Sequence, residues 1–161
     1  MKIHTIESKV NIAAPIEAVF GFHLETKNLR LISPPSTKAE LLKESGEALG
    51  KQIELKFTQF GAFSSIWVVR IEEYDPPFKL TDLALQSPFP YFKHTRYFSQ
   101  PCASVTELRD VIEYAVPFGA IGELANKISI EKMIKEMFEY RQQRTKEILE
   151  EKFYIKEVPV S

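Results

Sequence analysis

His94, Arg96 and Asp110 are the side chains of this sequence best suited by type and spacing to do chemistry. Around Asp110 the sequence alternates: Glu107, Arg109 and Glu113 on one side, Leu108, Asp110, Ile112 and Tyr114 on the other. Side chains of a strand alternate between its two faces, so the apolar set marks the inner face and takes Asp110 inward with it. An inward carboxylate is costly unless it is paired. The same alternation turns Phe92, His94, Arg96 and Phe98 inward on the preceding strand, and a hairpin between the two strands brings Asp110 within reach of Arg96 or His94. Such a cluster could hold a ligand carboxylate or hydroxyl, or relay a proton, because a carboxylate sets the tautomer of an imidazole for acid–base work. The same residues also fit a purely structural role, an Asp110–Arg96 ion pair that sets strand register. A one-residue bulge would turn all of them outward.

Other signals of chemistry are weaker. His4 reads as a strand-surface residue and His23 as a helix-packing residue. The only cysteine, Cys102, follows Pro101 at a strand end and can form no intrachain disulfide. Zinc needs three or four convergent ligands, and the few His and Cys are scattered, so no metal is expected. There is no P-loop, no GxGxxG and no GxSxG, and the glycines of Pro117–Gly122 are too sparse to cradle a phosphate. No cofactor is expected.

The elements that must position the cluster follow from periodicity. Ile6, Val10 and Ile12 alternate with charged neighbours as a half-buried strand, ended by Ala13-Ala14-Pro15. Pro15 opens a short helix with Ile16, Val19, Phe20 and His23 on one face, and a second short helix spans Thr26–Leu31. Six strands follow, at about 39–44, 53–58, 63–74, 80–86, 92–100 and 104–116, with turns at glycines and prolines. The apolar run Ile66-Trp67-Val68-Val69 reads as a central strand covered on both faces. The Phe118–Gly122 segment reads as a loop, with room for a turn of helix, near a cavity entrance. Phe20, Leu31 and the Ser87–Pro90 loop read as its other rims. From Leu124 to Glu151 a single long helix is expected, with Ile130, Ile134, Met137, Phe138, Arg141, Thr145, Ile148 and Leu149 on one face and Lys, Glu and Gln on the other. Hairpin-length connections make the sheet antiparallel, and the long helix is the element able to cover it. The fold class is therefore α+β: a seven-stranded curved antiparallel sheet, strand 1 beside strand 7, around a long C-terminal helix. The expected boundaries are one domain over 1–152 and a C-terminal tail over 153–161.

Composition limits the function classes. The chain has 161 residues, 44% of them hydrophobic, enough for one ordinary core. A net charge of -1 argues against a general nucleic-acid binder, which needs a basic surplus. The N-terminus lacks a signal-peptide core and no stretch approaches the ~20 apolar residues of a membrane span, so a cytoplasmic protein without integral membrane contact is expected. The 12 Phe, 6 Tyr and 1 Trp suit a lined cavity as well as a filled core.

Four segments carry a family resemblance: APIEAVFGFHLETKNLRLISPP at Ala14–Pro35, HTRYF at His94–Phe98, TELRDVIEYAVPFGAIGELANK at Thr106–Lys127 and MFEYRQQRTKEIL at Met137–Leu149. Together they resemble the START and birch-pollen-allergen superfamily, SRPBCC, and within it a bacterial cyclase/dehydrase-like subfamily of ligand-binding proteins. The resemblance implies a helix-grip fold with an apolar cavity between sheet and helix, but no single chemistry. Three functions are open. The first is binding of a small apolar or amphipathic molecule, lipid-like or aromatic, by Ile53, Leu55, Phe57, Trp67, Val69, Phe92, His94, Arg96, Phe98, Leu108, Asp110, Ile112, Met137 and Phe138. The second is a cyclase or dehydratase acting on a polyketide-like or aromatic substrate, with His94, Arg96 and Asp110 as the catalytic candidates. The third is an interaction protein with a collapsed pocket. Oligomeric state is not specified.

Overall fold

The computed structural model describes residues 1–157. Its elements are β1 (His4–Ile12), α1 (Ile16–Leu24), a 3₁₀ helix (Thr26–Leu31), β2 (Thr37–Ser45), β3 (Gln52–Gln59), β4 (Phe63–Asp75), β5 (Lys79–Gln86), β6 (Tyr91–Cys102), β7 (Val105–Ala115), α2 (Gly119–Ala125), a π-turn (Asn126–Ile130) and α3 (Glu131–Glu157). All neighbouring strands pair antiparallel, in the order β1-β7-β6-β5-β4-β3-β2. Strand 1 thus lies beside strand 7, as expected.

Two apolar clusters join the sheet to its helices. Ile12, Val19, Phe20, Leu80, Phe98, Leu108 and Leu149 form one, and Ile6, Ile112, Tyr114, Val116, Ile134 and Phe138 the other. A fully buried side chain of this size contributes about 1.5–3 kcal/mol, so these clusters clamp α1 and α3 to the sheet. Along β7 the first cluster takes Leu108 and the second takes Ile112. Asp110 falls between them, on the same face.

Three local expectations need correction. The Gly119–Gly122 segment is the turn of helix it had room for, the start of α2, but it does not line the cavity. Gly122 is required there because an added Cβ would stand 1.7 Å from the Pro117 carbonyl oxygen. The long helix is interrupted at its start by the π-turn and runs to Glu157, so the tail expected from Phe153 begins as helix; 158–161 lie outside the described residues. Finally, β4 is not covered on both faces. Trp67, Val69 and Ile71 turn to the cavity, while Ile66 and Val68 alternate to the outer face and are only half-buried. A bulge at Glu72 shifts the register between Ile71 and Glu73, which changes the phase of the strand beyond it.

Candidate functional site

A cavity of about 350 Å³ lies between the concave sheet face and α3. Its wall is aromatic. Trp67 stands edge-on to Phe92 at 5.0 Å and to Phe57 at 5.8 Å between ring centroids, and Phe89 joins them at 5.5 Å from Phe92. Such offset and edge contacts are the favoured ring geometries, so the wall is packed rather than loose. The Trp67 indole N–H donates to Ser65 Oγ at 3.1 Å, leaving the ring face to the cavity.

A polar cluster forms the opposite side. Asp110 is 3% exposed. Its carboxylate accepts from His94 Nε2 at 2.5 Å and from Gln142 Nε2 at 2.6 Å. Gln142 also donates to the Ser8 carbonyl at 3.0 Å, so α3 is stitched to β1 and β7 at this point. Arg96 donates to Asp82, not to Asp110, which corrects the expected Asp110–Arg96 ion pair. Register explains the choice. Arg96 is directly opposite Asp110 and Leu80, and His94 is opposite Asp82 and Ile112. Both observed contacts therefore run diagonally, Asp82 to Arg96 and His94 to Asp110. A twisted sheet brings such i, j±2 neighbours within reach of long side chains.

The protonation states follow from these contacts. Burial alone would raise the Asp110 carboxyl, but hydrogen bonds from His94 and Gln142 hold it below its ordinary range. Burial and the positive charge of Arg96 lower His94 despite the pull of Asp110. The pair is thus a neutral imidazole donating Nε2–H to a carboxylate, with Nδ1 the basic nitrogen. His23 is lowered to about 4, chiefly by burial. Its Nδ1 donates to the Val19 carbonyl at 2.9 Å, and the ring lines the cavity. Arg141, on α3, is brought down by burial to about 10 and stays charged at neutral pH.

Solved structures of similar shape share this architecture at low sequence identity. A protein from Chromobacterium violaceum superposes with a TM-score of 0.72 at 16% identity, over 91% of this chain and 96% of that one. A START superfamily protein from Mycobacterium smegmatis gives 0.67 at 13%, over 90% and 99%. The chain has the helix-grip fold that these structures share. StfQ, a di-domain aromatase/cyclase of the steffimycin biosynthetic pathway, gives 0.75 at 11% over 94% of this chain and 52% of its own length. The helix-grip chain thus corresponds to about half of that protein. No protein-family model and no curated protein matches the sequence.

Within the helix-grip fold, the cavity brings together Ile53, Leu55, Phe57, Trp67, Val69, Phe92, His94, Arg96, Asp110, Met137 and Phe138, all among the expected lining residues. Phe98, Leu108 and Ile112 face the same way but are sealed into the two core clusters, 3%, 0% and 0% exposed. Phe20 is likewise core and Leu31 exposed; the rim on that side is built from Phe22, Leu29 and Ile32, while Pro88 and Phe89 line the cavity as the Ser87–Pro90 expectation had it. Sequence reasoning missed Asp82, His23 and Gln142. Asp82 alternates in phase with Leu80 and Ala84, a legible signal. Gln142 lies four residues beyond Phe138 on the apolar stripe, but its polarity suggested the solvated face. None of the helices among the described residues is long and apolar enough to cross a membrane.

Proposed function

We propose that the chain binds a small, largely apolar or amphipathic molecule in the cavity between sheet and α3. The observation that carries this reading is a cavity of about 350 Å³, aromatic on one side and polar on the other, open inside an otherwise packed core. That volume falls at the lower end of the ~300–1,000 Å³ typical of ligand pockets. It also argues against an interaction protein with a collapsed pocket. The kinship in fold to a START superfamily protein and to aromatase/cyclases agrees with such a role. On this reading residues 1–152 act as one binding unit in the cytoplasm, with a small molecule rather than nucleic acid as partner.

Trp67 is the only tryptophan and lines the cavity, so its fluorescence reports occupancy directly. Native mass spectrometry of the purified protein is expected to show a bound small molecule. Its removal is expected to shift Trp67 emission, and its return to restore it. A protein free of small molecules whose Trp67 emission is indifferent to a panel of aromatic and lipid-like compounds would sink the reading.

One observation favours a second reading, a cyclase or dehydratase on a polyketide-like or aromatic substrate. His94 Nδ1 makes no hydrogen bond among the described residues while Nε2 is held by Asp110 at 2.5 Å, the arrangement of an oriented general base. Here Asp110→Asn should abolish turnover of such a substrate with little loss of folded protein. Turnover equal to wild type would remove His94–Asp110 from the chemistry.

A further inference from the structure

The cavity contains a guanidinium that its own carboxylates do not hydrogen-bond. Two arginines, Arg96 and Arg141, and two aspartates, Asp82 and Asp110, line it. Asp82 is taken by Arg96, and Asp110 by His94 and Gln142. The Arg141 guanidinium makes no hydrogen bond or close ion pair with any described residue, although the Asp110 carboxylate stabilises its charge through space. Its one contact of note is with the Phe138 ring, 5.1 Å from guanidinium carbon to ring centroid. Its Nε is closed to solvent and has no partner. A guanidinium carries five N–H donors in a rigid fork and stays ionised in proteins. Holding one inside a cavity without an acceptor is costly, and a planar pair of oxygens is the acceptor that its fork fits.

The neighbours narrow the choice. Asp82 and Asp110 already accept from charged or polar donors, and the third lining carboxylate, the exposed Glu25, lies 3.8 Å from Lys27 Nζ, so each carboxylate of the cavity already has a donor or a cation beside it. The neutral imidazole of His23 offers an acceptor at Nε2, since Nδ1 is spent on Val19. The aromatic wall of Phe57, Trp67 and Phe92 would take a flat apolar body. Resting on the ligand-binding reading above, we propose that Arg141 is the receptor for a carboxylate, and that the ligand class is an amphipathic, aromatic or short-chain carboxylic acid bound acid-end toward α3. One guanidinium without a hydrogen-bond partner can take one bidentate acceptor, such as a planar carboxylate.

The test is a calorimetric comparison of matched pairs: 2-naphthoate with 2-naphthamide, and octanoate with octanamide. Acid and amide have nearly the same shape, so their difference isolates the charge. Wild type should bind at least one acid on the order of tenfold to a hundredfold tighter than its amide, the range of hydrogen bonds to a charged group. Arg141→Met, which keeps an unbranched apolar stem, should erase that preference while leaving amide affinity nearly unchanged. Arg141→Lys should retain part of it. Equal binding of acid and amide by wild type, or a preference that survives in Arg141→Met, overturns the carboxylate proposal and leaves ligand binding standing. Failure of all four compounds to bind overturns both. The wild-type comparison stands without any variant, so a poorly folded substitution does not decide the outcome.

Discussion

Two histidines in this protein bond a carboxylate, and they do so in opposite settings. His94 and Asp110 face the cavity, with side chains 13% and 5% exposed, at 2.5 Å. His4 and Glu123 sit where β1 meets α2, with side chains 16% and 32% exposed, at 2.9 Å. Around His4 the partners are many: its ring packs on Tyr114 at 5.3 Å, and Tyr114 donates to Asn126 in the π-turn at 2.7 Å. Glu123 is also reached by Lys2 at 3.5 Å, and its hydrogen bond to His4 holds the carboxyl below its ordinary range. Loss of one contact there leaves water and other donors to replace it. Around Asp110 there is no such reserve, because burial removes water as the alternative partner. The same pair of residue types is therefore a fastening at one place and a loaded polar site at the other.

The widest gap between the two regions should appear on truncation of the acid. Asp110→Ala leaves His94 without an acceptor and Gln142 with only the Ser8 carbonyl, with Arg96 and Arg141 nearby, and should cost roughly 3–5 kcal/mol in urea unfolding. A loss no larger than that of a surface substitution would mean that cavity water compensates for the carboxylate and that the contrast is one of geometry alone.

Acid should separate the regions next. His23 is neutral when folded, with a pKa of about 4, while its unfolded counterpart protonates near 6.5. The unfolded state therefore binds more protons between those values. Stability from His23 is complete above pH 6.5 and declines as pH falls toward 4, by on the order of 3 kcal/mol. His94, also lowered, adds a loss of the same sign. Asp110 is lowered from 3.8, so its contribution is present above that value and disappears only in stronger acid. Unfolding free energy measured from pH 7 to 4 should fall, and His23→Phe should flatten the decline. A flat profile in wild type would contradict the neutral states assigned to the cavity imidazoles.

Gln142→Leu tests the link between helix and site. It removes donors to Asp110 and to the Ser8 carbonyl, and should cost about 1.5–3 kcal/mol, the range for hydrogen bonds to a charged group. It should also loosen ligand selection, because Asp110 loses one of its two holders. The smallest effect belongs to Glu123→Ala, which should shift the melting temperature less than any change above and leave ligand affinity as in wild type. A change in affinity from Glu123→Ala would couple the two histidine sites through Tyr114 and α2.

Much of this was written in the sequence. The two-residue period of β6 and β7 is a property of any strand, so it put His94, Arg96 and Asp110 on the inner face, provided no bulge intervened; the unbroken register from Tyr91 to Ser99 supplied that condition. The stripe from Ile134 to Leu149 determined which side of α3 meets the sheet, because its spacing matches the helical turn. Tertiary structure decided the partners. Arg96 faces Asp110 directly yet pairs with Asp82, because the twist of the sheet brings diagonal neighbours together, and twist does not appear in a pattern of polar and apolar letters. Gln142 was hidden for a related reason: only the approach of α3 to β7 turns a polar residue into a buried one with partners. Phe98, Leu108 and Ile112 point inward as alternation requires. Whether an inward ring or aliphatic side chain meets cavity or core depends on how closely the helices descend upon it, a distance set by the packing of the whole domain.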